Sequence, residues 1–249
     1  MLKLGTHNSM TYLKPTGLVQ ILAWNTGKCQ NLSLEEQYEF GVRFFDLRIR
    51  FDEKAIPYFA HGLLEFHEKA VTDVLAFLDQ KQDCIVNLVM ESFGKVKDSQ
   101  DHLFIDFCKQ AEDQYKYITF VGGWGKYPES GHSLYSFVPK KQIREVEVYK
   151  VFSLLNEGIH ETTEKIKESE KELKESLKKV VEGGLELLKS PTFFAMQNNP
   201  NYWKNVNEDV YTMMDFVQLG APEEYLSQLP VDLQKRIKVL FEKLPQLPK

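Results

Sequence analysis

The chain has 249 residues, 43% of them hydrophobic, which is enough to bury a substantial core. Its 31 basic and 36 acidic residues are interspersed and give a formal net charge of −5, whereas a nucleic-acid surface usually needs a basic stripe. The 3 cysteines (Cys29, Cys84 and Cys108) suggest neither a disulfide framework nor a zinc-type CxxC pair. No apolar run approaches the ~20 residues that cross a bilayer.

Strand-like and helix-like segments alternate along the chain, which favours a parallel sheet. The predicted strands are 2–6, 42–50, 57–61, 84–91, 117–121, 146–153, 192–197 and 210–217. The predicted helices are 33–39, 71–81, 99–114 and 157–189, and two C-terminal pieces follow Pro222 and Pro230. With about seven or eight strands and no break in composition, we expect one α/β domain over residues 1–249, a single irregular or incomplete TIM-type (β/α) barrel.

Two of the helices have further sequence signals. Ser33 and Glu36 form a capping box, which predicts a helix start at this point. Apolar residues recur at helical spacing through 157–189, and Glu and Lys fill the remainder. An amphipathic helix packed outside the barrel is the simpler interpretation, since the polar face is mixed in sign and a membrane-surface helix would be rich in Lys and Arg.

The stretch GVRFFDLRIR, residues 41–50, alternates almost perfectly and yet carries charge on one face. Phe45, Leu47 and Ile49 occupy the face expected to meet the helices. Asp46, Arg48 and Arg50 follow Phe44 on the opposite face. Charged groups on an inner face are costly to bury unless they are paired or functional, so we expect this face to form the mouth of the barrel.

Polar side chains also lie at the ends of other predicted strands. His7 and Asn8 follow the first strand, His61 the third and Glu91 the fourth, while Asp215 lies within the apolar run YTMMDFV. Each alone has an ordinary explanation, such as a loop or capping histidine or a satisfied structural acid. Together with Asp46 and Arg48 they predict a site for a phosphate group, in which an arginine grips anionic oxygens and two histidines supply a base and an acid.

These segments resemble a known family. GTHNSMTY, then QNLSLEEQYEFGVRFFDLRIR, then FAHG are similar in order and spacing to the catalytic X-domain of phosphatidylinositol-specific phospholipase C. The resemblance covers roughly residues 4–92, and MMDFV looks like the terminal strand of the family. It implies an irregular TIM-type barrel of the bacterial, metal-independent branch. The implied enzyme is a phosphodiesterase, strictly a lyase, of lipid metabolism.

The resemblance also implies a reaction and the roles of four residues. The inositol 2-hydroxyl attacks the phosphorus, which releases diacylglycerol and forms a cyclic inositol 1,2-phosphate. His7 matches the general base, Asp215 the carboxylate that orients it, His61 the general acid and Arg48 the arginine that neutralises the phosphate. The implied partner is a phosphoinositide lipid at a membrane or micelle surface. We expect a monomer with no nucleic-acid partner.

One position departs from the bacterial pattern. Asn8 stands where those members usually have an Asp that supports the general acid, which leaves either a less basic His61 or a substitute role for Asp46. Asn8, Asp46 and Glu91 also match calcium ligands of the eukaryotic branch. Because the guanidinium of Arg48 stands about where Ca²⁺ would lie, we expect no metal and no cofactor, and Ca²⁺ held by those three residues is the alternative.

Residues that would bind the lipid are less marked. Gly62 belongs to the HG match, Glu91 is placed to accept inositol hydroxyls, and Lys150 is either a head-group contact or a surface lysine. The glycine-rich stretch 119–131 carries Phe120, Trp124 and Tyr127, which suit either an interfacial lipid contact, in which Trp124 binds substrate, or ordinary packing.

Two other functions fit the same residues. One is a metal-dependent, glycerophosphodiesterase-like hydrolase, although it would need a further acidic cluster. The other is an inositol-lipid-binding pseudoenzyme with weak or no turnover, to which Asn8 points. MLKLGTHNS leaves no room for the apolar region of a signal peptide, so we expect a cytoplasmic location, or a secreted one if a leader has been removed.

Overall fold

A sheet of eight strands forms the centre of the part of the chain that the computed structural model describes, namely residues 2–17, 20, 24, 27–91, 100–122, 143–145 and 191–244. The strands are β1 (Leu4–Thr6), β2 (Val42–Phe51), β3 (Pro57–His61), β4 (Leu64–Phe66), β5 (Ile85–Met90), β6 (Thr119–Gly122), β7 (Ile143–Glu145) and β8 (Tyr211–Met214). The helices are α1 (Leu34–Glu39), α2 (Val71–Lys81), α3 (Asp101–Gln114), α4 (Pro191–Trp203), α5 (Glu223–Ser227) and α6 (Val231–Glu242).

Six of these strands are joined by parallel pairing in the order β7-β8-β1-β2-β5-β6. The predicted α/β architecture with a largely parallel sheet is therefore confirmed. Within the described ranges no pairing joins β6 to β7, so the described sheet is open rather than a closed barrel.

The strand that ends in His61 runs in the opposite direction from the one predicted. β3 pairs antiparallel with the end of β2, from Ile49 opposite Phe59 to Phe51 opposite Pro57, and β4, which the sequence did not predict, pairs antiparallel with β3. Gly62 opens the two-residue turn between them with a φ of +57°. Because β3 doubles back along β2, it returns His61 to the level of the charged residues of β2.

Most predicted helices are confirmed, and one predicted strand is wrong. α1 begins with the capping box of Ser33 and Glu36, α2 has the predicted bounds, and α5 and α6 follow Pro222 and Pro230. Residues 192–197, predicted as a strand, lie inside α4, because a short apolar run cannot be assigned by periodicity alone. The segments predicted at 146–153 and 157–189 lie outside the described residues.

The helices pack on one face of the sheet, as the alternation in β2 predicted. Phe45, Leu47 and Ile49 are fully buried and belong to the same hydrophobic cluster as residues of α2, α3 and α6. None of the helices within the described ranges is long and apolar enough to cross a membrane.

On the opposite face, five apolar side chains form what we call the apolar floor. It consists of Phe44, Val121 and Met213, which are buried, and of Ile85 and Tyr211, which pack against them. Gly5 leaves room here, since a Cβ at this position would come within 3.0 Å of Met213 and 3.2 Å of Phe44.

A buried glutamine connects α1 to the end of β1. Gln37 is fully buried, and its Nε2 donates to the carbonyls of Ser9 (2.8 Å) and Leu32 (2.9 Å), while its Oε1 accepts from the hydroxyl of Thr6 at 2.8 Å. These bonds tie α1 to Thr6 and Ser9, the residues on either side of His7 and Asn8.

Replacing Gln37 with Leu keeps the volume of the side chain and removes all three bonds. We expect the free energy of unfolding to fall by roughly 2–4 kcal/mol, since buried carbonyls would lose their donors. Denaturant unfolding measures this, and Gln80→Leu on the exposed face of α2 is the matched control, for which we expect a change of about 0.5 kcal/mol or less. Equal losses for the two variants would contradict the role given to Gln37.

Candidate active site

The polar residues of the site lie one layer above the apolar floor. Side chains two positions apart on a strand point to the same face, so the residue two places after each floor position faces the same interior. His7, Asp46, Asn87 and Asp215 follow this spacing: Asp46 and Asn87 lie in β2 and β5, and His7 and Asp215 directly follow β1 and β8. All four strands are parallel, so these side chains meet at one edge of the sheet.

His7 is held at both ring nitrogens. Its Nδ1 lies 2.9 Å from Oδ1 of Asp215, and its Nε2 lies 2.8 Å from Nη2 of Arg48. A carboxylate accepts and a guanidinium donates, so the contacts assign the proton to Nδ1 and a lone pair to Nε2. Gln30 fixes the backbone here, since its Nε2 donates to the carbonyls of His7 and Met214 at 3.0 and 2.8 Å.

Asp46 is a buried carboxylate with its oxygens occupied. Oδ2 accepts from the backbone N–H of Asn8 at 3.0 Å and from Nε of Arg48 at 3.1 Å, and Oδ1 accepts from Asn87 at 2.8 Å. Although burial opposes the charge, Arg48 and His7 and the hydrogen bond from Asn8 lower the pKa of Asp46. Asp46 is therefore ionised, and the hydrogen bonds to its two oxygens come from Asn8, Arg48 and Asn87.

Arg48 bridges two carboxylates. Besides its bond to Asp46, its Nη1 lies 3.4 Å from Oε2 of Glu91, and 18% of its side chain is exposed. Burial works against its charge, yet Asp46 and Glu91 raise its pKa, so it stays a cation. The guanidinium thus presents a fixed positive charge beside Nε2 of His7.

His61 faces His7 from the β3–β4 hairpin. The two ring centroids are 6.1 Å apart with the planes at 85°, and Nδ1 of His61 lies 2.9 Å from the carbonyl of Gly27. A carbonyl only accepts, so Nδ1 carries the proton. Burial, aided by Arg48 and His7 and opposed by Glu91, lowers the pKa of His61 to about 4. The ring is therefore neutral at pH 7 in the free protein.

Asn8 adopts the left-handed conformation, with φ +46°, which Asn tolerates better than most residues. Its backbone binds Asp46, while its Nδ2 lies 3.1 Å from Nε2 of His7. Its Oδ1 is buried without a hydrogen-bond partner among the described residues. The side chain expected to support His61 thus contacts His7.

Four residues of the site were missed by sequence reasoning. They are Cys29, Gln30, Asn87 and Asn199, whose Nδ2 donates to the carbonyls of Asp215 at 2.8 Å and Phe216 at 3.1 Å. Asn87 had a signal, since it alternates with Glu91 on the same face of its strand. The other three had none, because they come from loops or from the helix mistaken for a strand.

Cys29 is a buried thiol between Asn8 and His61. Its Sγ is 3.8 Å from Nδ2 of Asn8 and 4.0 Å from Nδ1 of His61. Burial, reinforced by the charge of Asp215, raises the pKa of this thiol well above its usual value. The three cysteines are free and buried.

The structure describes some of the residues predicted to bind the lipid. Glu91 lies in the site, where it pairs with Arg48. Gly62 lies in the hairpin turn, and its carbonyl accepts a hydrogen bond from Arg50. Phe120 is buried in the core, so ordinary packing explains it. Lys150 and Trp124, like Tyr127, lie outside the described residues.

The alternative calcium set fits the observed contacts poorly. A cation held by Asn8, Asp46 and Glu91 would have to displace Arg48, which binds both carboxylates directly. A dication beside a guanidinium is electrostatically unfavourable.

Comparison with known proteins adds little. No family model matches the chain, and no curated protein matches it. Among solved structures it is similar to "phosphatidylinositol-specific phospholipase C from Listeria monocytogenes", with a TM-score of 0.45 and 16% identity over 95% of this chain and 91% of that one. A likeness this distant shows nothing about the activity of this chain.

The buried, neutral His61 predicts acid-sensitive stability. The ordinary pKa of 6.5 lies above the folded value of about 4, so between them the unfolded chain binds a proton that the folded chain does not. Stability should therefore fall by up to roughly 3 kcal/mol as the pH drops through this window. Asp46 has an ordinary pKa of 3.8 and a lower one in the folded protein, so its protonation changes stability only below this pH window.

Unfolding free energies of wild type and His61→Gln at pH 4.5–7 measure the contribution of His61, since glutamine does not titrate. We expect a shallower slope for the variant, and equal slopes for the two proteins would contradict a buried, neutral His61.

Proposed function

We propose that the chain cleaves the phosphodiester of phosphatidylinositol, or of a related inositol phospholipid, by attack of the inositol 2-hydroxyl. The observation that supports this most directly is the pair of contacts on His7, with Asp215 at Nδ1 and Arg48 at Nε2. They place a neutral base beside the guanidinium of Arg48. A phosphate with a neighbouring hydroxyl is the substrate such a pair suits.

His7 is the proposed general base. The lone pair on Nε2 takes the proton of the 2-hydroxyl as its oxygen bonds to phosphorus, and Asp215 stabilises the imidazolium that forms. Gln30 and Asn199 hold the backbone of His7 and Asp215 in place, so that the pair keeps its geometry when it gains charge.

Arg48 is the proposed phosphate ligand. In the free protein its Nη2 donates to His7. An entering phosphodiester offers better acceptors than a neutral imidazole, because charge-assisted bonds to phosphate are the stronger ones. Transfer of the guanidinium to the phosphate frees Nε2 for the substrate hydroxyl. Asp46 and Glu91 keep Arg48 charged and limit its movement.

His61 is the proposed general acid. Its Nδ1 keeps its own proton on the carbonyl of Gly27, so the transferable proton has to be carried on Nε2. A pKa of about 4 leaves the ring neutral in the free protein, and the negative charge of bound phosphate raises that pKa, so that Nε2 takes a proton from solvent as substrate binds. Nε2 then gives this proton to the departing glycerol oxygen. The products are diacylglycerol and cyclic inositol 1,2-phosphate, and His7 returns its proton to solvent to complete the turnover.

The resemblance of residues 4–92 to phosphatidylinositol-specific phospholipase C is the reason for proposing inositol as the head group. Glu91 is the described carboxylate placed to accept the inositol hydroxyls. We also infer that the sheet is part of an incomplete barrel, since the polar layer above an apolar floor is the arrangement expected at a barrel mouth. The partner is a lipid surface, and catalysis proceeds without a metal.

A second candidate is an inositol-lipid-binding protein with weak turnover. The lowered pKa of His61 favours it, because a histidine that is rarely protonated is a poor acid. Release of cyclic inositol phosphate from phosphatidylinositol micelles in the presence of EDTA, followed by phosphorus NMR, distinguishes the two. Binding without this product would support the second.

Activity should depend on the guanidinium of Arg48 and not on a metal ion. We expect Arg48→Met to lower kcat/KM by about 10²–10³-fold, the usual loss for one electrostatic contact to a transition state. EDTA should leave the wild-type rate unchanged. Arg43→Met, which removes an arginine paired with Asp83 away from the site, is the matched control and should retain activity. Loss of the wild-type rate in EDTA, with recovery in Ca²⁺, would rule out the metal-free mechanism.

The two histidines should differ in their dependence on the leaving group. Either His7→Ala or His61→Ala should cost about 10²–10⁴-fold on the lipid. On an aryl phosphodiester of inositol, whose leaving group needs little protonation, His61→Ala should recover most of its rate, while His7→Ala should not. Asp215→Asn should resemble a weaker His7 defect. Rates of each variant on both substrates test this, and equal deficits of His61→Ala on the two would remove it from the role of acid.

A further inference from the structure

We propose that His7, Cys29 and Asp215 form a binding site for a thiophilic transition-metal ion of the zinc type, and that occupation of this site switches the protein off. The metal-binding part stands on geometry alone. The inhibitory part rests on the proposed function, because it requires His7 to be the base.

The donor atoms are already close together. Within the described ranges, one ligand atom from each of the three residues lies within 4.8 Å of the other two, and all three residues are buried. Nδ1 of His7 and Oδ1 of Asp215 are 2.9 Å apart. Zinc bonds of about 2.0–2.3 Å place neighbouring ligands a little over 3 Å apart, so modest side-chain shifts complete the site.

The chemistry of the donors selects the metal. A thiolate, an imidazole and a carboxylate are all zinc ligands, whereas calcium and magnesium take oxygen. A fourth position remains for water, or for the amide oxygen of Asn8. That oxygen is buried without a partner among the described residues, and the same amide lies 3.8 Å from Sγ of Cys29 and 3.1 Å from His7.

Binding releases one proton and blocks the base. The thiol proton of Cys29 leaves as its sulfur binds the metal as a thiolate. His7 binds as a neutral ring through the lone pair of Nδ1, so the proton that Nδ1 carried moves to Nε2. With the proton on Nε2, His7 has no lone pair for a substrate hydroxyl, and Nη2 of Arg48, 2.8 Å away, meets a donor instead of an acceptor.

This site differs from the calcium alternative in its ligand residues and in its position relative to His7. That alternative uses oxygen atoms of Asp46 and Glu91, which Arg48 occupies. The proposed site lies on the other side of His7, at Asp215, and leaves both ion pairs of Arg48 intact.

Cobalt(II) reports the metal site directly. Titration of the untagged full chain with CoCl₂ should give a thiolate-to-cobalt charge-transfer band, and ZnCl₂ should abolish it. Cys29→Ser should remove the band and weaken metal binding by about 100-fold or more, since even outer-shell partners are worth 10–100-fold. Cys84→Ser and Cys108→Ser, which change the other two buried thiols, are the matched controls and should keep the band.

A second variant tests the site even if Cys29→Ser does not fold. Asp215→Asn leaves the thiol in place, and it should shift the charge-transfer band and weaken cobalt binding. Absence of a charge-transfer band in the wild type, or a band that persists in Cys29→Ser, would overturn the metal site.

The inhibitory effect is a second measurement. ZnCl₂ should stop cyclic inositol phosphate release in wild type, EDTA should restore it, and Cys29→Ala should require about 100-fold more zinc for the same inhibition. A cobalt band in a protein that lacks phosphodiesterase activity would uphold the metal site and refute the proposed function. Zinc binding that leaves the rate unchanged would refute the switch.

Discussion

The ionised carboxylate of Asp46 is the constraint on which the rest of the site depends. A buried charge of this kind is tolerated only when donors surround it, and Asp46 takes them from the loop after β1, from β2 and from β5: the Asn8 N–H, Arg48 and Asn87. Its backbone carbonyl also accepts from Ser9. One residue therefore ties the loop after β1 to two neighbouring strands. Arg48 is oriented as a consequence of that requirement, and His7 is oriented by Arg48 in turn.

Arg48 is the cation that most charges of the site share: it pairs with Asp46 and Glu91, while Asp215 accepts from the neutral ring of His7. A third contact of Arg48 joins Nη2 to Nε2 of that ring, an uncharged acceptor. Because bonds to charged acceptors are the stronger ones, this third contact is the easiest of the three to replace. The apolar floor beneath the site excludes water on one side, which strengthens each of these interactions.

Much of this was predictable from local sequence. The alternation of β2 predicted which face carries charge, and the capping box predicted the start of α1. The antiparallel course of β3 was not predictable, because a five-residue strand looks the same in either direction and its partner is chosen by tertiary pairing. The helix at 191–203 was missed since its apolar run has no clear period, and Asn199 was lost with it. Cys29 and Gln30 were overlooked because their roles depend on atoms far away in sequence.

The hairpin that carries His61 has a consequence for how this site can change. His7, Asp46 and Asp215 belong to parallel strands or their ends, within one continuous ladder. His61 belongs to a short appendage that joins this ladder at the last residues of β2 and through Arg50, which binds the carbonyls of Gly62 and Glu91. The two rings are therefore positioned by different pairings, His7 by the parallel ladder and His61 by an antiparallel hairpin that pairs with β2 alone among the described strands of that ladder. The spacing of the two rings consequently depends on the antiparallel register of β3 on β2, which leaves the parallel register around His7 unaffected.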